Sequence, residues 1–193
     1  WCLDCRYAKE TIEYPGNAME GEVKKYQIIY ADPPWDWKTY SDKGRSKTPD
    51  KHYPLLSLES LGELTIPSDD NATLFMWVQD AHLHNGIHLG EKWGFTYKTV
   101  AFVWDKQSFG MGYWTRKGAE ICLLFTKGHP KRLSGGVRQF ISSKLREHSR
   151  KPDDVRNRIV ELMGDLPRIE LFARQKVEGW DCWGNEVESD IQL

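Results

Sequence analysis

The chain has 193 residues, of which 39% are hydrophobic and 28% charged, and its net charge is −1. This is enough for one proper core, so a single domain over residues 1–193 is expected. The longest apolar runs fall well short of the ~20 residues that span a bilayer, and the N-terminus lacks a basic-then-apolar secretory pattern, which argues against membrane and export readings. Trp1 is not an initiator methionine, so the numbering is expected to begin inside a longer chain.

Cys2 and Cys5 have the C-x-x-C spacing that can open a zinc site, but the remaining cysteines, Cys122 and Cys182, form no second pair. Scattered thiols of a reducing compartment, with no metal, are the expected state. The first strong element is the apolar run Tyr26–Ala31, a strand ending in Asp32-Pro33-Pro34-Trp35. Next come a long basic connection over Asp36–Tyr53 and a helix over Ser57–Leu64. A strand over Ala72–Val78 and a helix over Asp80–Trp93, stopped by Gly94, follow.

Further strands are expected over Tyr97–Trp104, Glu120–Thr126, Val137–Ser142 and Arg168–Phe172, separated by long connections over Asp105–Ala119 and Lys127–Arg150. Several strands are apolar on both faces, as parallel strands covered by helices tend to be. A helix over Pro152–Met163 is the clearest: Pro152 suits a first helical position, Asp153 and Asp154 favour the positive end, and Val155, Ile159 and Leu162 share a stripe before Gly164. Strands interleaved with helices indicate an α/β sheet, whose ligands sit beyond the carboxyl ends of the strands. Asp32 falls at such an end.

Charge and aromatic content are unevenly spread. Lys127 to Lys151 carries eight Lys or Arg against one acid, Glu147, and Trp37 to Lys51 carries five against two. These segments are expected to meet phosphates, or else to be solvated faces balanced by acids nearby in space. Of nine tryptophans, Trp77, Trp93 and Trp104 lie in or beside apolar runs and are expected in the core.

The strand-end motif carries chemistry. A purine amino group is a poor nucleophile because its lone pair is delocalised into the ring. A carboxylate and a backbone carbonyl that accept its two hydrogens pull the nitrogen toward tetrahedral geometry. Asp32 supplies the carboxylate, Pro33 a carbonyl, and the two prolines fix the backbone that holds them. Trp35 is placed to wall or stack on a planar base. A turn in which Asp caps and Pro-Pro merely ends the strand is the structural alternative.

Asp-Pro-Pro-Trp after an apolar strand resembles the signature of the MT-A70 family of adenine-N6 methyltransferases. Asp4-Cys5-Arg6-Tyr7 resembles the upstream family segment, and Thr73–Val78, Lys92–Phe95, Lys117–Glu120, Arg146–Asp153, Ile169–Arg174 and Trp183–Glu186 follow farther on in family order. The resemblance implies a Rossmann-like α/β methyltransferase fold in which the catalytic motif precedes the cofactor motif. It implies S-adenosylmethionine as cofactor, held by Asp4, Cys5, Asp32, Lys151, Arg174, Asn185 and Glu186. Glu186 stands where the mRNA enzyme has glutamine, and Lys176 and Val177 depart from the family His-Asn.

On the target side the resemblance points to Tyr53 and Glu120, each with an ordinary alternative: Tyr53 packing at a loop end and Glu120 opening a surface strand. His148, inside the matched segment, is expected to be structural or to touch phosphate. Trp114, in Phe109-Gly110-Met111-Gly112-Tyr113-Trp114, is placed on a base-gripping loop.

The implied activity is methyl transfer to adenine N6 in nucleic acid, with DNA favoured because the compact chain shows no appended RNA-binding segment. RNA is the enzymatic alternative, and a non-catalytic nucleic-acid-binding partner subunit is the other. The long loops are where a homodimer or heterodimer, common in the family, would form. An intracellular location is expected, cytoplasmic for a bacterial or phage protein.

Overall fold

A computed structural model of the chain describes residues 24–35, 57–112, 114–146 and 150–193. Cys2, Asp4, Cys5, His148 and the whole Asp36–Tyr53 connection, Tyr53 included, lie outside the described residues.

Among the described residues, seven strands make one mixed sheet in the order β5-β3-β4-β2-β1-β6-β7. They are β1 (Tyr26–Ala31), β2 (Ser68–Val78), β3 (Thr96–Gly110), β4 (Lys117–Lys127), β5 (Phe140–Ser142), β6 (Arg168–Leu171) and β7 (Asp181–Trp183). β1 lies near the middle and pairs in parallel with both β2 and β6. β4 runs antiparallel to β2 and to β3, which makes the sheet mixed rather than all parallel. The expected connection over Asp105–Ala119 is largely strand: β3 and β4 form a hairpin whose ladder resumes at Gly110↔Lys117 after an irregularity. Polar residues such as Lys106 and Gln107 hide this extension from a hydrophobicity reading, because an edge ribbon does not need a buried face.

Helices cover both faces. α1 (Leu58–Gly62) and α2 (Leu83–Lys92) pack on the face that carries Ile29, Ala31, Leu74, Met76 and Phe125, burying Leu61 and Leu89. α3 (Asp154–Met163) packs on the opposite face, and its Val155, Ile159 and Met163 meet Ile28, Tyr30, Phe75 and Trp77. Period-two alternation along β1 explains the split of 28 and 30 from 29 and 31. Tyr26 breaks that alternation by facing with Ile29 and Ala31, and the β1–β2 register shifts between Tyr26 and Ile28.

Local chemistry sets the helix ends. Ser57 caps α1 by accepting from Ser60 N–H at 3.1 Å. Gly94, with φ +84°, ends the α2 turn in the left-handed region. α3 begins one residue past its N-cap, Asp153, with Pro152 before the cap rather than in the first helical position. The Asp153 carboxylate does not cap the helix, because Arg146, Arg150 and Arg156 take its oxygens instead. Trp77, Trp93 and Trp104 are buried, and each indole N–H finds an acceptor: Tyr30 Oη at 2.7 Å, Leu61 O at 2.8 Å and Ser143 Oγ at 2.9 Å.

The connectivity reverses at β1. From β1 the chain goes to β2 on one side and returns later to β6 on the other, with crossover helices on opposite faces. Such a switch point opens a crevice at the carboxyl ends of the strands. Ala31, Leu171 and Trp183 stand in register, so Asp32, Phe172 and Gly184 follow side by side at that edge.

Candidate active site

Asp32 sits at the mouth of the switch-point crevice. Its side chain is 32% exposed, and Oδ2 accepts from Lys151 Nζ at 2.7 Å. Oδ1 has no hydrogen bond to a described residue. Pro33 is buried and Pro34 half-buried. The Pro33 carbonyl accepts Trp35 N–H at 2.9 Å, which folds the motif on itself and leaves the carbonyl's second lone pair.

Trp35 is a wall more than a free platform. It is buried, its Nε1 donates to the Trp77 carbonyl at 3.3 Å, and its ring lies against the His82 ring, with centroids 6.0 Å apart and planes 8° from parallel. This ties the loop after β1 to the end of β2 and to the turn at Asp80–His82.

Lys151 is the hub. Besides Asp32 it reaches Glu120 Oε2 at 3.2 Å, and its ammonium lies 5.6 Å from the Trp77 ring centroid. Glu120 is buried in β4 rather than opening a surface strand, and its Oε1 accepts from Lys106 Nζ at 3.1 Å. Burial alone would push the Glu120 carboxyl up, but the ammonium groups of Lys151 and Lys106 outweigh it and hold it below its ordinary value. Burial would likewise lower Lys151, yet the carboxylates of Asp32 and Glu120 hold it above its ordinary value. Glu120 and Lys151 are therefore both ionised at neutral pH.

A second ionic chain anchors the Lys151 backbone. Arg146 donates to the Lys151 carbonyl at 2.6 Å and to Asp153 Oδ2 at 2.6 Å. Asp153 also meets Arg156, which holds Glu170 of β6 by two bonds of 2.7 Å each and lies over the Tyr30 ring.

The late motif lies two strands across. Phe172 adopts φ +60°, a strained left-handed turn for a non-glycine residue, just past the end of β6. Its ring meets Trp183 edge-on at 5.3 Å. Ala173 N donates to the Trp183 carbonyl at 3.0 Å, and a Cβ at Gly184 would come within 2.2 Å of the Ala173 carbonyl, so only glycine permits this backbone approach. Arg174 is half-buried and lies 3.7 Å from the exposed Glu186, with Asn185 exposed beside it.

The structure thus brings Asp32, Lys151 and Glu120 together and sets Arg174, Asn185 and Glu186 along the same edge. Trp114 stands apart at the β3–β4 hairpin, 97% exposed. Lys106 and His82 are not singled out by the sequence, and Arg146 stands there only as part of the matched Arg146–Asp153 segment and of a basic run. A lysine ending the buried stretch of a strand is a weak signal, and it acquires meaning only when the strand's direction places it at the catalytic edge. Among the described residues no cluster of His, Cys, Asp or Glu fits a metal, and no helix is long and apolar enough to cross a membrane.

Comparison with known proteins agrees with this frame. Over 183 residues the chain is 42% identical to the type II methyltransferase M.MunI of Mycoplasma sp, covering 85% of this chain and 78% of that protein. Over 199 residues it is 27% identical to the N(6)-adenosine-methyltransferase catalytic subunit METTL3 of Homo sapiens, covering 97% of this chain but 31% of that protein. It is also 27% identical over 176 residues to the N(6)-adenosine-methyltransferase MT-A70-like protein of Drosophila melanogaster, of which it spans 27%. The MT-A70 family model matches residues 26–186, from the strand that delivers Asp32 through Glu186 at the far side of the crevice. A match that takes in both halves of the site makes the chain a member of the MT-A70 family, and a methyltransferase.

Proposed function

We propose that this methyltransferase modifies the N6 amine of adenine in DNA, using S-adenosylmethionine. The observation that carries the reading is the Asp32 carboxylate, fixed by Lys151 through Oδ2, with no hydrogen bond from a described residue at Oδ1, at the switch point of the sheet.

The residues present fit the cofactor. A methionine carboxylate wants cations, and Lys151 and Arg174 are the lysine and arginine at this edge. A ribose diol wants an amide or carboxylate, and Asn185 and Glu186 follow β7. The backbone contact of Ala173 with Gly184 keeps the floor between them low. Bound there, S-adenosylmethionine supplies a methyl on a positively charged sulfur, which keeps the bonding pair when the methyl leaves.

This chain's groups do the rest. Asp32 Oδ1 and the free lone pair of the Pro33 carbonyl accept the two amine hydrogens, which turns the nitrogen lone pair out of the ring. As the new C–N bond forms, the nitrogen becomes acidic and its proton passes to Asp32 or water, so no strong base is needed. Trp35 and His82 wall the pocket and exclude water. The adenine must leave its stack to reach this edge, because a paired base does not present N6 to a buried crevice.

DNA is favoured by the 42% identity to a type II methyltransferase, a class of DNA-modifying enzymes. The RNA reading draws on the match to METTL3 along 97% of the chain. A subunit without chemistry is disfavoured because Asp32, Lys151, Arg174 and Asn185 are all in place. Incubation with methyl-labelled S-adenosylmethionine and matched DNA and RNA, followed by nucleoside mass spectrometry, decides among these. Label in N6-methyladenine from DNA is expected. Label at another atom, or transfer to neither polymer, overturns the reading, and label in RNA alone replaces DNA by RNA. We also propose that the chain forms one domain that works inside the cell.

A further inference from the structure

Lys106 belongs to none of the motifs that carry the family resemblance, yet it closes a row of alternating charges on Asp32. Lys106 Nζ holds Glu120 Oε1 at 3.1 Å, Lys151 Nζ holds Glu120 Oε2 at 3.2 Å, and the same Nζ holds Asp32 Oδ2 at 2.7 Å. Side-chain exposure is 13% for Lys106, 5% for Glu120 and 10% for Lys151, then rises to 32% at Asp32. The row is driest at Glu120 and ends on the most exposed of its four groups, Asp32.

Its charges sum to zero, which is the condition under which buried ions are tolerated. Without Lys106 two carboxylates would share a single ammonium. Glu120, the drier of the two, would then either take up a proton or draw Lys151 toward itself and away from Asp32. Each outcome alters how Lys151 is shared and therefore the aim of the Asp32 carboxylate, although Lys106 has no ion pair with Asp32.

The backbone around Lys106 is fixed to a degree that suits this task. Its carbonyl accepts Leu145 N–H at 3.2 Å, and the Asp105 carbonyl accepts Ser143 N–H at 3.1 Å, which extends the β3–β5 pairing past the strand end. Gln107 is held at φ +51°, with its N–H on Asp105 Oδ1 at 3.0 Å and its side-chain amide on Ser142 Oγ at 3.0 Å. A non-glycine residue stays in that region only where its surroundings over-determine it. The bulge between Asp105 and Gly110 therefore sets the direction in which Lys106 leaves the strand.

We propose that Lys106 is a positioning residue for methyl transfer, acting through Glu120 and Lys151 to keep the Asp32 carboxylate fixed in place. This rests on the reading of Asp32 as the acceptor for the target amine. A cation meant for phosphate would stand in solvent, and the half-buried Lys106 is paired with a buried carboxylate instead.

The test compares wild type, Lys106→Met and Lys106→Arg of the full chain, with methyl-labelled S-adenosylmethionine and genomic DNA and RNA free of N6-methyladenine. In Lys106→Met, kcat is expected to fall about tenfold or more. KM for nucleic acid and calorimetric cofactor affinity should stay within about threefold, the pattern of a group felt only in the transition state. Lys106→Arg should recover most of the loss. A carbon-13 NMR titration of the Glu120 carboxyl should move upward in Lys106→Met and return in Lys106→Arg.

The proposal is overturned if kcat of Lys106→Met stays within about twofold of wild type, or if the arginine variant is as slow as the methionine one. It is overturned equally if the whole effect lies in KM for nucleic acid, which would make Lys106 a phosphate contact. Should Lys106→Met melt below the assay temperature, Lys106→Gln, which keeps a donor and loses the charge, is judged by the same criteria. Wild type that methylates neither polymer refutes the Asp32 reading before any variant is made, and the NMR titration then still decides whether Lys106 governs Glu120.

Discussion

Lys151 Nζ stands 2.7 Å from Asp32 Oδ2, although 119 positions separate the two residues in the chain. β1 ends at Asp32, and the segment that leads into α3 returns Lys151 to the same edge, where Arg146 fixes its carbonyl. One ammonium thus orients the carboxylate proposed to receive the target amine.

Replacement of Asp32 by alanine removes the acceptor and leaves Lys151 with Glu120 alone. Turnover should fall by about a hundredfold or more, the scale of losing a preorganised electrostatic partner. Cofactor affinity by calorimetry should remain within about tenfold. A loss of cofactor binding as complete as the loss of rate would move Asp32 from the target to the cofactor.

Lys151→Met is a harsher change. It leaves Glu120 and Asp32 beside each other with only Lys106 to balance them, and breaking a buried pair costs about 3–5 kcal/mol. A clear drop in melting temperature and weaker cofactor binding are both expected. Unchanged cofactor affinity with weaker nucleic-acid binding would assign Lys151 to the basic surface.

The same network fixes a pH window. Glu120 is held below its ordinary 4.5, so the stability it contributes is present above that value and lost as pH falls through its lower folded value. Lys151 is held above its ordinary 10.5, so its contribution is present below that value and lost as pH rises through its higher one. Rates on one substrate should therefore show no ionisation of Glu120 or Lys151 between 4.5 and 10.5. A limb inside that window that disappears in Glu120→Gln would contradict the pairing.

How much of this was legible in the sequence depends on how local each feature is. β1 was expected over Tyr26–Ala31 and forms over those residues, because six largely apolar positions before Asp-Pro-Pro admit little else. β7 was missed, since Asp181-Cys182-Trp183 is too short to show an alternation. The hairpin was read as a connection because its strands run on through polar residues, and Val137–Ser142 shrinks to Phe140–Ser142 after Gly135 and Gly136. Asp32 and Lys151 could be named from motif order. The row through Glu120 to Lys106 could not, because it requires that β4 run against β3 at the catalytic edge.

Acid should expose Asp153. The Arg146 hydrogen bond leads the effects that hold its carboxyl down at about 2, so the stability it gives is present above the ordinary 3.8 and lost as pH falls toward about 2. In Asp153→Asn the melting temperature should change less across that acid range than in wild type. A wild-type slope would mean that the three arginines around Asp153 gain nothing from its charge.

Gly90 tests the packing of α2. A Cβ there would lie 2.3 Å from Phe125 Cε1, in a fully buried ring with no room to retreat. Gly90→Ala should destabilise by about 1–3 kcal/mol through overpacking, read as a lower denaturation midpoint. Gly90→Ala combined with Phe125→Leu, which clears the ring, should cost less than the sum of the two single changes. Additive losses would show that the clash is not the cause.

Trp114 offers the opposite case, a large side chain with nothing to lose in stability. It is 97% exposed, Phe109 and Met111 beside it are 86% and 85% exposed, and the hairpin that carries them projects from the catalytic edge. Gly112 keeps the turn tight, since a Cβ there would come within 2.0 Å of the Thr115 carbonyl. An indole held out on such a turn suits stacking on an unpaired base, worth about 1–3 kcal/mol. Trp114→Ala should leave the melting temperature unchanged and weaken binding to a labelled oligonucleotide by about fivefold to a hundredfold, while Trp114→Phe keeps most of the affinity. Unaltered affinity in the alanine variant, with a changed mass in sedimentation, would instead make the hairpin a contact between subunits, and the base would have to be gripped by residues nearer Asp32.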